Sequence, residues 1–201
     1  MKKIFIMFAV LATFLTGAAT AAGNQEAGKA RSRACAGCHG TDGNSAIPQN
    51  PNLAGQGAAY LVKQMKEFKS KKRDNATMFG MVAALSDQDM EDIAAYFSAN
   101  KAKGGKADAR LVKQGEQIYR SGAASKGLSA CIGCHGPTGA GNAAARFPAL
   151  SGQHSEYTVN QLKAFSTGKR SNDAGKMMQN IAGKMNSSDM QAVAAYISGL
   201  K

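Results

Sequence analysis

The sequence predicts an all-α chain of two tandem domains, and three observations carry that prediction. A pentapeptide of the form Cys-x-x-Cys-His at residues 35–39 recurs at residues 131–135. The segment at residues 51–56 returns at residues 148–153, which is 97 residues later. Apolar residues elsewhere recur at helical spacing, and no alternating strand pattern stands out. A period near one hundred residues is too long for a solenoid repeat and therefore indicates a duplicated domain.

The repeated pentapeptide is the attachment signal for c-type haem, because two thiols three positions apart can each form a thioether to one porphyrin vinyl group. The histidine that follows is then held under the ring as the proximal iron ligand. The two motifs use all four cysteines and two of the three histidines of the chain. A redox-active cysteine pair, a structural zinc site or a disulfide framework would leave these histidines unexplained or need other spacings. The predicted cofactors are two covalently bound haem c groups, held by Cys35, Cys38, Cys131 and Cys134, with His39 and His135 on the two irons.

The first residues predict export from the cytoplasm. Lys2 and Lys3 precede a short apolar run, and small residues at positions 19–21 form a cleavage site, so residues 1–21 are interpreted as a signal peptide. A retained membrane anchor is the alternative, but the apolar run is short for a bilayer span. Haem is attached to this motif outside the bacterial cytoplasm, so both signals predict a periplasmic protein. Association with the outer face of the cytoplasmic membrane stays open.

Each repeat is predicted to run helix, haem loop, helix, irregular loop, helix. Ser86 and Asp89 form a capping box before an apolar helical stripe, and Asn186 takes the equivalent cap position in the second copy. The predicted domains span residues 22–100 and 107–201. A linker rich in lysine and glycine joins them at residues 101–106.

An iron with one histidine needs a second ligand or has an open site. The third histidine, His154, aligns with Gly57, so it cannot serve both repeats and is predicted to be a surface residue. Eight methionines lie outside residues 1–21, and only two pairs of them recur in both copies. Duplication therefore reduces the candidates to those two pairs.

One of these pairs, Met90 and Met190, lies on the apolar face of the last predicted helix, where methionine is an ordinary core residue. The other pair, Met78 and Met178, lies in the predicted irregular loop, where a side chain can be aimed at a haem. We therefore predict Met78 and Met178 as axial ligands. The alternatives that remain are Met81 in the first repeat and Met177 in the second.

This arrangement resembles the class I cytochrome c fold, and its tandem form resembles the dihaem cytochrome c4 family. The resemblance rests on Cys-Ala-Gly-Cys-His-Gly, the two Leu-x-Gly-Gln segments, the Lys-Arg pair before each methionine and the Ala-Ala-Tyr of each last helix. It implies two class I cytochrome c-like domains, each wrapped around one six-coordinate haem, with the haems edge to edge across a domain interface. It also implies that Pro51 and Pro148 orient the proximal histidines through their carbonyl groups.

The arginines of the two Lys-Arg pairs, Arg73 and Arg170, are candidate partners for the haem propionates, because guanidinium suits a carboxylate. A solvated basic face is the alternative reading of these residues, and the sequence does not decide between the two.

Charge is spread unevenly along the chain. The formal net charge is +12, or +10 without Lys2 and Lys3. Residues 22–100 carry nine basic and eight acidic side chains, whereas residues 101–201 carry fourteen and five. Nucleic acid is a poor fit for an exported haem protein with few aromatic residues. Acidic redox proteins or anionic lipid headgroups are better candidates, because opposite charges steer association.

If histidine and methionine cap both irons, no position is open for a substrate, and methionine raises the reduction potential. The predicted function is that of a monomeric periplasmic dihaem electron carrier, not an enzyme. It would pass single electrons between a membrane quinol-oxidising complex or dehydrogenase and a terminal oxidase. Two alternatives remain open: a dihaem enzyme of the peroxidase or thiosulfate dehydrogenase type with one open iron, and a tethered subunit of a larger dehydrogenase or oxidase.

Overall fold

The computed structural model describes residues 23–200, and the predicted signal peptide at residues 1–21 lies outside the described residues. The all-α prediction is confirmed. Within residues 23–200 there is no β-sheet, only two isolated bridges, Ala123 with Leu128 and Asn142 with Phe147. None of the helices in this part of the chain has the length and apolar character needed to cross a membrane.

The two repeats have the same order of helices. The first contains α1 (Gln25–Arg31), α2 (Ala36–His39), α3 (Ala58–Lys69), α4 (Ala76–Val82) and α5 (Asp87–Ala99). The second contains α6 (Val112–Ser121), α7 (Ile132–His135), α8 (Ser155–Ser166), α9 (Met177–Ala182) and α10 (Ser187–Gly199). Short 3-10 turns lie at Ser32–Cys35, Ala124–Lys126 and Ala174–Lys176.

Two segments predicted to be irregular are short helices. The haem motifs form the single turns α2 and α7, and the methionine segments form α4 and α9. The side chain of Asn75 starts α4 by accepting a hydrogen bond from the backbone N–H of Met78 at 2.9 Å. These helices have four to seven residues, too few for an apolar period to be visible in the sequence.

The last helix of each repeat begins as predicted. Ser86 accepts a hydrogen bond from the backbone N–H of Asp89, whose carboxylate accepts one from the N–H of Ser86, and this confirms the capping box. Asn186 and Asp189 make the same pair of bonds at the start of α10. The two last helices are fixed in register, and each supplies much of the buried apolar surface of its own domain.

The first helix of each repeat crosses the last one at a glycine. Helix α1 packs on α5 and α6 packs on α10. A methyl group added at Gly28 would collide with the Asp92 carbonyl, and one added at Gly115 would collide with the Ala192 carbonyl. Backbone therefore touches backbone at both crossings, and only glycine allows that approach.

The linker between the repeats is held against the first domain. Asn44 donates through Nδ2 to the carbonyl of Lys101 at 3.1 Å and accepts from the N–H of Lys103 at 2.7 Å. The ammonium group of Lys103 lies 2.7 Å from the Asp42 carboxylate, and its hydrogen bond is the main cause that lowers the pKa of Asp42 to about 2. The chain thus enters the second domain along a defined path.

Gly28→Ala and Gly115→Ala are each expected to lower the free energy of unfolding by roughly 1–3 kcal/mol, because the added methyl forces two helices apart. Chemical denaturation of the holoprotein measures this loss. Gly80→Ala is the matched control, since a methyl group on this residue of α4 would meet no atom within 4 Å beyond its chain neighbours and the backbone of its own helix. Equal stability of all three variants would contradict the close crossing.

Candidate haem sites

The motif histidines are held in the same way in both domains. His39 and His135 are each 7% exposed, and their Nδ1 atoms lie 2.9 Å from the carbonyl oxygens of Pro51 and Pro148. Burial lowers the pKa of both rings, although the hydrogen bond to the carbonyl works in the opposite direction. Each ring is therefore neutral, with its Nδ1–H directed at a carbonyl. That tautomer leaves the Nε2 lone pair free to bind a metal.

The four cysteines are free thiols, one half-buried and one exposed in each motif. Burial raises the pKa of Cys35, and it raises that of Cys131 to about 11. The partly buried thiol of each motif is therefore protonated at neutral pH. Two free thiols within one helical turn, followed directly by a buried histidine with an available nitrogen, are the donor set that covalent haem requires. The residues present fit the predicted cofactor in both domains.

The methionines differ in the surfaces that they face. Met78 and Met178 are half-buried and pack against the buried core clusters of their domains. Met81 and Met177 are more exposed, with 42% and 43% of their surface accessible. On the neighbouring positions 177 and 178, only the second side chain packs against the core. The packing favours Met78 and Met178 over the two alternatives.

The arginines of the Lys-Arg pairs lie at the interface between the domains. Arg73 donates hydrogen bonds to Gln64 at 2.7 Å and, across the interface, to the Tyr157 hydroxyl at 3.0 Å. Arg170 donates to Gln161 at 2.7 Å and across the interface to the Tyr60 hydroxyl at 2.9 Å. The second arginine is only 8% exposed, so the reading as a solvated basic face is wrong for Arg170.

Neither guanidinium group forms an ion pair with a side chain of residues 23–200. Each packs instead over a phenylalanine ring, Arg73 on Phe68 and Arg170 on Phe165, both at 4.5 Å from the ring centroid. The arginines also share the Gln161 carboxamide oxygen as an acceptor. One buried and one half-buried cation close together leave positive charge to be balanced. A propionate near each of them would supply that balance, so this region also fits the predicted cofactor.

The two repeats do not contribute equivalent residues to the interface between the domains. His154 was expected on the surface, but it is half-buried between the domains, with Nε2 2.9 Å from the carbonyl oxygen of Ser45. The corresponding position in the first repeat is Gly57. There the interface contains a cavity of about 210 Å³, lined among others by Gly57, Tyr60, Arg146 and Phe147. A side chain fills one half of the interface, and the other half is open.

A buried carboxylate adds to this asymmetry. Glu67 is 8% exposed, and it accepts hydrogen bonds from Lys63 and, across the interface, from Asn172, both at 2.6 Å. Burial raises the pKa of Glu67, but these hydrogen bonds outweigh it and leave the pKa below its ordinary value. The second repeat has Ala164 at the matching position. The charge of Glu67 therefore belongs to the first domain alone.

Sequence reasoning missed the residues that join the domains most closely. Gln56 exchanges two hydrogen bonds with the backbone of Ala149, and Gln153 exchanges two with the backbone of Asn52. Both glutamines belong to the Leu-x-Gly-Gln segments, whose repetition was visible. The signal was present in the sequence, but its role depends on a contact between two domains that a single repeat does not reveal.

Comparisons with known proteins agree with this geometry. The sequence profile of the cytochrome c family matches residues 25–101 and again residues 112–201. Cytochrome c4 of Pseudomonas aeruginosa is 48% identical over 201 residues, which cover 100% of each chain. A crystal structure of reduced cytochrome c4 from Pseudomonas stutzeri superposes with a TM-score of 0.87 at 46% identity, and the match covers 90% of this chain and 100% of that one. A thiosulfate dehydrogenase electron acceptor of Stutzerimonas stutzeri is 39% identical, with 83% of this chain and 79% of that protein covered.

Met78→Ala and Met178→Ala are each expected to convert one of two low-spin centres to high spin and to lower its reduction potential, because methionine opposite histidine raises that potential. Visible spectroscopy of the oxidised protein measures the change through the weak red band of the methionine–iron bond. Half of that band should be lost in each variant.

The matched controls are Met81→Ala and Met177→Ala, whose residues are 42% and 43% exposed and whose loss should leave the band intact. Loss of the band in Met177→Ala and its retention in Met178→Ala would move the ligand of the second domain by one residue.

Proposed function

Since the chain belongs to the cytochrome c4 family of dihaem electron carriers, we propose that it passes single electrons in the periplasm between a membrane quinol-oxidising complex or dehydrogenase and a terminal oxidase. Its cofactors are two covalently bound haem c groups. The proposed ligands are Cys35, Cys38 and His39 with Met78 in the first domain, and Cys131, Cys134 and His135 with Met178 in the second. When bound, the haem supplies a one-electron redox centre.

One observation carries the proposal: both candidate sites contain a buried histidine nitrogen and a methionine that packs against the core, so each iron would have two protein ligands. A centre with both axial positions filled has no place for a substrate and is suited to moving electrons. The rest of the chain serves this role by fixing ligand geometry. The Pro51 and Pro148 carbonyls set the histidine tautomer, and helices α4 and α9 present the methionines.

The interface supports electron exchange between the two centres. Arg73 and Arg170 are proposed to bind the propionates, and both arginines lie between the domains with hydrogen bonds to the opposite one. Propionates held there would bring the edges of the two haems towards each other. Electrons could then enter through one domain and leave through the other.

The basic second domain is proposed to dock on an acidic redox partner. Three of its lysines, Lys163, Lys169 and Lys176, are exposed and form no ion pair within residues 23–200. In the first domain the lysines of α3 are engaged, for example Lys66 with Asp87 at 2.7 Å. Free positive charge is therefore concentrated on the second domain. The dehydrogenase electron acceptor among the relatives supports a dehydrogenase as one possible class of donor.

The proposed function is tested by the oxidised visible spectrum and a redox titration of the purified holoprotein with membranes that contain a terminal oxidase. We expect two low-spin haems, both with a methionine–iron band, and oxidation of the reduced protein by the membranes. A high-spin component in the untreated protein would instead favour the enzyme alternative with one open iron.

Charge reversal tests the docking surface. Lys169→Glu combined with Lys176→Glu is expected to slow association with an acidic redox protein by about tenfold at low salt, because steering by surface charge changes on-rates by factors of roughly 10 to 1,000. Stopped-flow electron transfer at several ionic strengths measures the rate.

The matched control combines Lys29→Glu with Arg33→Glu, two exposed cations of the first domain. It removes the same charge and should have a much smaller effect. If both double variants lost the same rate, or if salt left the rate unchanged, the second domain would have no special role in docking.

A further inference from the structure

The carbonyl that holds each motif histidine belongs to a peptide group with a second partner. His39 Nδ1 donates to the carbonyl of Pro51 at 2.9 Å, and the N–H of the same peptide group, on Asn52, donates to Oε1 of Gln153 at 2.9 Å. Gln153 returns a bond from Nε2 to the Asn52 carbonyl at 2.9 Å. The histidine of the first domain is thus connected through one peptide group to a side chain of the second domain.

The second domain repeats the arrangement in the opposite direction. His135 Nδ1 donates to the Pro148 carbonyl at 2.9 Å, and the N–H of that peptide group, on Ala149, donates to Oε1 of Gln56 at 2.8 Å. Gln56 donates back from Nε2 to the Ala149 carbonyl at 2.9 Å. In each domain, the peptide group that accepts the hydrogen bond of the motif histidine is therefore also bound by a glutamine of the other domain.

The glutamines are held firmly in these positions. Gln56 and Gln153 are 7% and 8% exposed, and each Oε1 also accepts the N–H of the following residue, Gly57 or His154, at 3.0 Å. An amide oxygen has two lone pairs, so both are used. The bond within its own domain fixes the orientation of each glutamine side chain, so the hydrogen bond to the other domain is preorganised.

We infer that Gln153 and Gln56 are cross-domain positioning residues, each tuning the reduction potential of the iron in the domain to which it does not belong. A peptide group is planar and delocalised, so a hydrogen bond accepted from its N–H places more negative charge on its oxygen. That oxygen then holds the Nδ1–H of histidine more strongly and makes the ring a better electron donor at Nε2. A stronger donor favours the oxidised iron, so each glutamine lowers the potential of the opposite centre.

This inference rests on the proposed function, since it needs an iron on each histidine. It goes further because it makes the potential of each centre depend on how closely the domains are docked. Loosening the interface would release both peptide groups and raise both potentials. The geometry therefore couples the position of one domain to the redox balance of the other.

The test uses Gln153→Met and Gln56→Met in the complete holoprotein, because methionine roughly keeps the side-chain volume and removes all three hydrogen bonds of the glutamine, including the two across the interface. Gln153→Met should favour reduction of the first-domain haem by roughly two- to tenfold and leave the second unchanged, and Gln56→Met should do the reverse. A tenfold change corresponds to about 59 mV for a one-electron couple. The two haems are followed separately in a redox titration by the NMR signals of their ligand methionine methyl groups.

Each glutamine variant is the control for the other, and Gln49→Ala is an additional control. Gln49 bonds Glu156 across the interface at 2.8 Å and does not touch either peptide group, so its loss should move neither potential. Equal shifts of both haems in both glutamine variants would show general damage to the interface and would overturn the inference. A shift in the domain that carries the substitution, or no shift, would overturn it as well.

A measurement on the unsubstituted protein covers the case in which a variant does not fold. In fully reduced protein labelled with ¹⁵N and ¹³C, scalar couplings across the hydrogen bonds should connect the backbone amide nitrogen of Asn52 with the side-chain carbonyl carbon of Gln153. The same coupling should connect the backbone amide nitrogen of Ala149 with the side-chain carbonyl carbon of Gln56. Their absence would overturn the inference. If the methionine–iron bands are present but the glutamine substitutions leave both reduction potentials unchanged, the inferred effect of the glutamines is wrong and the proposed function stands.

Discussion

The hydrogen bond from each motif histidine to a proline carbonyl is the contact on which the remaining structure depends. It joins residues 12 positions apart in the first domain and 13 apart in the second, so the loop between them must fold back on the haem motif. In the first domain Gly43 makes this return possible: it has φ of +83° and its carbonyl accepts bonds from the N–H groups of Leu53 and Ala54. The bond also fixes which ring nitrogen is free. Fold and ligand chemistry are determined by the same atoms.

The domains meet through polar groups and not through a common apolar core. Each cluster of buried hydrophobic residues draws its members from one repeat. Across the interface the contacts are hydrogen bonds between amides, hydroxyls and guanidinium groups, such as Arg170 with Tyr60. Hydrogen bonds are directional, whereas apolar contacts tolerate sliding. A polar interface therefore sets the relative orientation of two redox centres more sharply than an apolar one of the same size.

The sequence was sufficient for features that a short motif carries by itself. The haem motifs predicted the cofactor, and the capping residues Ser86 and Asn186 predicted where the last helices begin. Recurrence in both copies led to the prediction of Met78 and Met178 as axial ligands, and this assignment stays a prediction. Features that depend on the approach of two segments could not be predicted: the helix crossings at Gly28 and Gly115, and the place of His154 between the domains. A residue that occurs in only one repeat looked unimportant because the comparison of repeats assumes that both copies do the same work.

The two arginines at the interface have a consequence for how the protein is made. Arg73 and Arg170 lie close enough to share Gln161, with no carboxylate of residues 23–200 paired to either. If haem propionates bind these arginines as proposed, closing the interface before they are in place would bring two positive charges together with little water around them, which is costly. The newly made chain would then keep its two domains apart, with both cysteine motifs accessible for haem attachment. The two domains would dock only after haem attachment, so a molecule with docked domains would be one that already carries its haems.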